Sequence, residues 1–173
     1  MSLSFYDCSV TAYQQVLGGV KTALAKAVAH SEETDLDLQS VVDFRLHEDM
    51  LPFSFQVISV WHHSLGALKG LQAGVFEPPP VMDPLDFAGL QGLVDEAMAF
   101  CAAQTPEAVN ALAEGPMVFR VRGRDMPFTT DNFLLSFSLP NVYFHATTTY
   151  SILRHLGVPL GKLDYLGQLR VGA

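Results

Sequence analysis

The residues best suited to chemistry interrupt an otherwise apolar stretch between residues 52 and 71. Four small or polar residues recur there at helical spacing and share one predicted helix face, namely Gln56, Ser59, His63 and Gly66. Buried polar groups are costly unless they are paired, so this stripe either meets polar groups of another helix or lines a cavity. The neighbouring His62 shares a face with Phe55 and Leu65, which favours a packing role.

A second histidine, His145, falls on the predicted inner face of the last long helix, with Val142 and Thr149 as neighbours. One interpretation is a core imidazole whose hydrogen bonds are satisfied. The other is a metal ligand or a general base. If His63 and His145 turn toward each other, they form, with Gln56 and Thr149, a pocket for a small molecule or a weakly held divalent metal.

Three polar residues, His47, Glu48 and Asp49, precede Pro52, where the second long helix is predicted to begin. Carboxylates near a helix N-terminus interact favourably with its dipole, so one interpretation is that this cluster caps the helix. In the alternative, His47 or Asp49 supplies a third ligand to the histidine pair from the end of the helix. The sequence leaves both interpretations open.

Apolar periodicity predicts a mainly α-helical chain that forms one domain over residues 1–173. The long helices are predicted at residues 3–30, 52–71, from Asp83 (as N-cap) to Cys101, and from near Pro140 to Gly157. Gly18 and Gly19 leave room for a neighbouring helix to approach the first one. Residues 117–122 alternate apolar side chains with arginines before Gly123, which predicts a small β-hairpin or extended insert before the last helix.

Charge is distributed unevenly along this acidic chain, whose net charge is −8. Residues 1–116 carry 15 acidic and 4 basic side chains, whereas residues 117–173 carry 3 acidic and 6 basic ones. The basic excess centres on Arg120, Arg122 and Arg124, which on one strand would project as a cationic ribbon toward an anionic partner. Alternatively, they are solvated charges that protect an edge strand from pairing. The net charge argues against nucleic acid or an anionic membrane as the main partner.

Three segments of the chain resemble a family of bacterial proteins of unknown function within the DinB/YfiT-like superfamily. They read DMLP at 49–52 (with Gln56), LPNVYFH at 139–145 and ILRHLGVPLGKLDYLG at 152–167. The resemblance covers nearly the whole chain. It implies an up-down-down-up four-helix bundle, commonly a homodimer, and some superfamily members are thiol-dependent transferases or isomerases.

The resemblance also implies a metal site. Better-understood superfamily members hold a divalent metal with three histidines, one on the second helix and a pair spaced i, i+4 on the fourth. Here His63 or His62 stands at the first position and His145 at the second, whereas Thr149 stands at the third. Threonine is a poorer ligand than imidazole for zinc or nickel, the expected cofactors. The alternative is a non-enzymatic dimeric binding or assembly protein that has lost the metal site.

Other patterns exclude several function classes. Neither a nucleophile elbow, a dinucleotide-binding glycine motif nor a phosphate loop occurs in the sequence. Cys8 and Cys101 are far apart in apolar helical contexts, which predicts neither a disulfide nor thiol chemistry. No secretory or membrane-spanning pattern is evident, so we expect a cytoplasmic protein without a membrane partner. Because only 16% of the residues are charged, we expect a second copy to cover apolar surface.

Overall fold

The computed structural model describes residues 3–172, which form a mainly helical chain with one small sheet. The first half contains a π-helical segment at Asp7–Thr11, then α1 (Ala12–Glu33), α2 (Leu38–Asp43), α3 (Phe53–Trp61), a second π-helical segment at His62–Gly66, and α4 (Ala67–Ala73). α3, the π-helical segment and α4 form one continuous second helix. It ends at Gly74, where a φ of 72° suits a residue without a Cβ.

The second half adds the sheet and the remaining helices. Its elements are β1 (Val75–Phe76), α5 (Phe87–Ala102), α6 (Pro106–Asn110), β2 (Pro116–Val121), β3 (Arg124–Thr129), α7 (Thr130–Phe133), a third π-helical segment at Leu134–Ser138, α8 (Leu139–His155) and α9 (Lys162–Leu166). Within residues 3–172, no helix combines the length and apolar character needed to cross a membrane.

Four long helices enclose the apolar core. α3 and α1 each contact both α5 and α8, so the four helices surround a common interior. Apolar residues recur every three or four positions along the first helix and are all buried, namely Val10, Tyr13, Leu17, Val20, Leu24 and Ala27. The same spacing in α5 gives a second buried stripe of Phe87, Leu90, Val94, Ala97 and Cys101. Periodicity therefore identified the faces that form the core.

The start of α5 corrects a prediction. Asp83 is not the N-cap, because the residues between it and Asp86 are not helical. Asp86 caps instead, with its Oδ1 accepting a hydrogen bond from the Gly89 amide at 2.7 Å. Both aspartates suit an N-cap, and the chain uses the one that places Phe87 in the core at the first helical position.

The last long helix begins earlier than predicted. It starts at Thr130 rather than near Pro140 and is continuous through the third π-helical segment into α8. Proline lacks an N–H donor and crowds the carbonyl four residues before it. The π-helical segment ends at Ser138, two residues before Pro140, and its wider turn makes room for the proline ring. The helix ends as predicted near Gly157, whose φ is 93°.

The predicted β-hairpin is confirmed, with Val121 paired to Arg124 and a two-residue turn of Arg122 and Gly123. Both turn residues have positive φ values, 50° and 74°, as a type I′ turn requires. The cationic ribbon is wrong, since Arg122 occupies the turn and Arg120 and Arg124 lie on different strands. β1, parallel to β2, is a third strand that the sequence did not reveal, because it has only two residues.

The C-terminal helix α9 folds back against α1, where Gly19 admits it. A Cβ built at Gly19 would lie 2.3 Å from the backbone oxygen of Tyr165, which is too close for any side chain. Gln15 Nε2 donates a hydrogen bond to the Leu166 carbonyl at 2.9 Å, and Lys26 pairs with Asp164 at 2.8 Å. The close approach expected at the glycine pair therefore occurs at Gly19. Gly18 has no such neighbour.

The glycine pair provides a matched test of this docking. Gly19→Ala should lower the free energy of unfolding by about 1–3 kcal/mol, because the new methyl group collides with backbone rather than with a flexible side chain. Gly18→Ala should raise it by up to about 1 kcal/mol, since alanine favours the helix and meets open space. Urea unfolding followed by circular dichroism measures both. Equal effects of the two substitutions would contradict the close approach of α9.

Candidate functional site

Both histidines of the second helix lie in its π-helical segment, His62–Gly66. A π-helical turn inserts one extra residue into a helix, and such turns are frequent at functional sites. Ser64 stabilises the turn by donating its hydroxyl to the Val60 carbonyl at 2.7 Å. Both imidazoles are buried, but they face different neighbours.

His62 faces the loop that follows β1. Its Nε2 lies 2.7 Å from the Glu77 carbonyl oxygen, and its ring packs 4.5 Å from the ring of Phe76. Burial lowers the pKa of His62, and the hydrogen bond to Glu77 opposes that shift. Since a carbonyl only accepts, Nε2 carries the proton of the neutral ring. His62 therefore fastens the loop to the helix.

His63 faces His145, with ring centroids 6.1 Å apart and ring planes inclined by 15°. Phe76 and Phe137 pack against His63 at centroid distances of 5.4 and 5.5 Å. Its Nδ1 is buried without a hydrogen-bond partner among residues 3–172. Burial, followed by the neighbouring His62 and His145, lowers the pKa of His63 to about 3, so its ring is neutral at pH 7.

His145 is half-buried, and Gln56 fixes which of its nitrogens carries the proton. Gln56 Nε2 donates to the Leu51 carbonyl at 2.9 Å, so its Oε1 is the atom that faces His145 Nδ1 at 2.8 Å. Nδ1 is consequently the protonated nitrogen, and Nε2 presents a lone pair. Burial lowers the pKa of His145 to about 4. The site thus contains two adjacent neutral imidazoles.

The remaining candidate residues do not join the pair. Thr149 is fully buried, and its hydroxyl donates to the His145 carbonyl at 2.9 Å. His47 and Asp49 are exposed and pair with each other at 2.6 Å. No side chain of this cluster accepts a hydrogen bond at the N-terminus of α3, so the cluster does not cap that helix through a hydrogen bond. In the described part of the chain, no three histidine, cysteine, aspartate or glutamate side chains converge as a metal site would require.

A buried hydrogen-bonded network behind His63 escaped sequence reasoning. Ser138 Oγ donates to the His63 carbonyl at 2.9 Å, and Tyr13 OH lies 2.7 Å from Ser138 Oγ. Because Ser138 gives its proton to the carbonyl, Tyr13 donates to Ser138. Burial raises the pKa of Tyr13, which keeps this hydroxyl protonated. The only hint in the sequence is a serine within an apolar stretch that precedes Pro140.

The donor set fits a metal ion in part. A metal-bound histidine characteristically donates its second ring nitrogen to a carbonyl or carboxylate acceptor, and the Gln56 amide oxygen plays that part for His145. The neutral ring of His63, whose Nδ1 has no hydrogen-bond partner among the described residues, lies beside it with ring centroids 6.1 Å apart. Structural sites for zinc usually have four protein ligands and catalytic ones three. Two imidazoles therefore suit only an open site whose other positions are filled by water or a bound molecule.

Comparisons with known proteins agree with this fold. The family described as a domain of unknown function, DUF1993, matches residues 5–166. The crystal structure of a DinB family member protein from Shewanella denitrificans superimposes with a TM-score of 0.83 at 25% sequence identity. The alignment covers 97% of this chain and 94% of that one. None of the curated proteins matches the sequence.

The depressed pKa of His63 predicts a loss of stability in mild acid. An unfolded histidine has a pKa near 6.5, so below that pH the unfolded chain takes up a proton that the folded chain, with a pKa of about 3, refuses. This contribution to stability is complete above pH 6.5 and is lost progressively toward pH 3. Between pH 6.5 and 5 the wild type should lose roughly 2 kcal/mol through His63.

Urea unfolding at several pH values compares the wild type with His63→Gln and with His47→Gln. The His63 variant should show a shallower fall in unfolding free energy between pH 6.5 and 5. The exposed His47 is the matched control, and its variant should follow the wild-type curve. A wild-type slope in His63→Gln would mean that this imidazole is protonated in the folded protein.

Proposed function

Since this chain belongs to the DUF1993 family and is DinB-like in fold, we propose that its His63–His145 pair binds a divalent metal, zinc or nickel. Water or a small molecule completes the coordination. The observation that carries the proposal is the Gln56–His145 hydrogen bond, which leaves Nε2 of His145 as an acceptor beside a neutral His63. Neutral imidazoles bind metals without first losing a proton at pH 7.

Aromatic side chains shape the surroundings of the pair. Phe55 and Phe144 lie 5.8 and 5.2 Å from the His145 ring, while Phe76 and Phe137 cover His63. Phe76 and Phe137 keep water from the His63 ring and thereby strengthen electrostatic interactions at its nitrogens. A bound metal supplies Lewis acidity toward a ligand oxygen. His145 is half-buried whereas His63 is buried, so in this proposal a small molecule approaches the pair from the side of His145.

The proposal includes the arrangement of the helices and of the molecule. The four long helices form an up-down-down-up bundle, and the protein is a cytoplasmic homodimer without a nucleic-acid or membrane partner. Leu51 and Phe144 support the dimer, because both are large apolar side chains that are about half exposed close to His145. Free thiols at Cys8 and Cys101 fit a reducing compartment.

The second candidate function is a non-enzymatic binding or assembly protein that keeps the bundle without the metal. Thr149 favours it, because the hydroxyl at the third ligand position is occupied by its own helix backbone. Under this candidate, the Gln56–His145 hydrogen bond is an ordinary core interaction between α3 and α8. The two candidates predict different responses to metal and to substitution.

Metal titration of protein purified without an affinity tag tests the leading candidate. We expect zinc or nickel to bind at one equivalent per chain, and His63→Gln or His145→Gln to weaken that binding by at least about tenfold. Gln56→Leu should weaken it by a similar factor, because the support for His145 is lost. His47→Gln is the control and should bind as the wild type does. Absence of saturable binding by isothermal calorimetry overturns the metal site.

Replacement of His145 by alanine separates the candidates by stability. If His145 is only a core group, the variant loses about 1–3 kcal/mol, because the buried Gln56 amide is left without its partner. If it is a binding residue, stability should hold or rise, since functional residues are rarely optimal for stability. Thermal unfolding of the metal-free proteins gives the answer. A large loss together with unchanged metal affinity would favour the non-enzymatic function.

A further inference from the structure

A pocket lies between α1, α8 and α9, on a different face of α8 from the histidine pair. Its volume is about 120 Å³, and it is lined by Ala12, Val16, Tyr143, Tyr165 and Leu166, with Gln15 and Arg170. Gln15 and Arg170 also line a larger groove of about 740 Å³ that runs past Gly18 on α1. These two residues therefore stand where the small pocket meets the groove.

Hydrogen bonds hold the walls of this pocket in place. Gln15 Nε2 donates to the Leu166 carbonyl at 2.9 Å, and Thr147 Oγ1 donates to Tyr165 OH at 3.0 Å. Gly167 packs closely against α1, since a Cβ there would lie 2.6 Å from the Gln15 carbonyl oxygen. Beyond Gly167 the chain brings Arg170 to the pocket.

Of the described residues, Arg170 is the only charged one that lines the pocket or the groove. Among residues 3–172, it forms no ion pair. The nearby Asp7 carboxylate instead accepts hydrogen bonds from Ser4, at 2.7 Å from its hydroxyl and 3.2 Å from its amide. Burial raises the pKa of the Tyr143 phenol, and the nearby positive charge of Arg170 opposes that rise. Arg170 is exposed and lowers the pKa of Asp7 without forming an ion pair with it, so its donors are open to an anionic ligand with an apolar body.

We propose that this pocket binds a small organic carboxylate whose apolar part is about as large as one aromatic ring. The Arg170 guanidinium accepts the carboxylate with two parallel hydrogen bonds, and the Tyr143 hydroxyl, which has no partner among the described residues, donates a third. A cavity of about 150 Å³ holds benzene; this pocket has about 120 Å³ and adjoins the larger groove at Gln15 and Arg170, so a single aromatic ring fits with part of it toward the groove. The aromatic faces of Tyr143 and Tyr165 pack against it.

A phosphate or sulfate group suits the site less well, because the pocket lining is mainly apolar and offers a single cation. A cationic ligand is excluded by Arg170 itself. Tyr143 and His145 are two positions apart on α8, so their side chains leave the helix about 200° apart. The carboxylate site is therefore independent of the histidine pair and of the function proposed for it.

Fluorine NMR of a fluorinated phenylacetate, titrated with the full chain, tests the site. The wild type should broaden the probe signal saturably, and Arg170→Gln should weaken binding by at least about tenfold, because the charge-assisted hydrogen bonds are lost. Tyr143→Phe should weaken it by a smaller factor. Arg122→Gln, which removes an exposed charge at the hairpin turn, is the matched control and should leave binding unchanged.

The amide analogue of the same probe separates charge recognition from apolar partition. The amide should bind to the wild type at least about tenfold more weakly than the acid does. Arg170→Gln should bind the acid and the amide equally well. His145→Gln should retain full binding of the acid, whatever its effect on metal. The proposal is overturned if the acid and amide bind alike, if Arg170→Gln binds as the wild type does, or if no saturable binding is seen.

Discussion

Two imidazoles lie against each other between α3 and α8 without a carboxylate beside them, and this arrangement constrains much of the fold around them. A buried cation without a partner is far more costly than a neutral ring, so both histidines must remain neutral. Neutral imidazole needs a hydrogen-bond acceptor for its N–H. For His145 that acceptor is the Gln56 amide oxygen, whose own orientation is set by the Leu51 carbonyl at the start of the same helix. The second helix and α8 are thus joined by a directional polar contact inside an apolar interface.

The π-helical segments explain how this contact is kept in register. In a π-helical turn the backbone hydrogen bonds shift by one residue, which leaves a carbonyl in need of another donor. The carbonyl of His63 finds that donor in Ser138, which ends the π-helical segment of the last helix, and Tyr13 of α1 donates to Ser138 in turn. Ser138 and Tyr13 therefore link the π-helical segments of the second and last helices to the first helix across the core.

Periodicity predicted the buried faces of α1 and α5, and turn chemistry predicted the hairpin, because both depend on residues close together in sequence. The stripe of Gln56 and His63 also faces His145 as periodicity suggests, since seven residues separate the two and regular α-helix continues as far as Trp61, just before His63. Thr105 caps α6 as its Thr-Pro-Glu sequence indicates. Two kinds of feature lay beyond the sequence. The choice of Asp86 over Asp83 depends on how Phe87 meets the core, and the Ser138–His63 contact joins residues 75 positions apart. Both are set by tertiary packing, which local preferences do not encode.

α8 carries the two candidate sites on different faces, and their electrostatics differ in a way that assigns them different ligands. The histidine pair has lone pairs, no formal charge and aromatic walls, which is an environment for a Lewis acid or a hydrogen-bond donor. The pocket at Tyr143 has a guanidinium and phenolic hydroxyls, which are donors only toward an anion. A single ligand cannot satisfy both, because an anion gains nothing from neutral imidazole acceptors and a metal ion is repelled by Arg170. The C-terminal segment contributes only to the pocket at Tyr143. It packs there on α1, where Gly19 admits its backbone and Gln15 donates to the Leu166 carbonyl. Displacement of α9 from α1 would therefore remove the carboxylate pocket while the contacts between α3 and α8 remain.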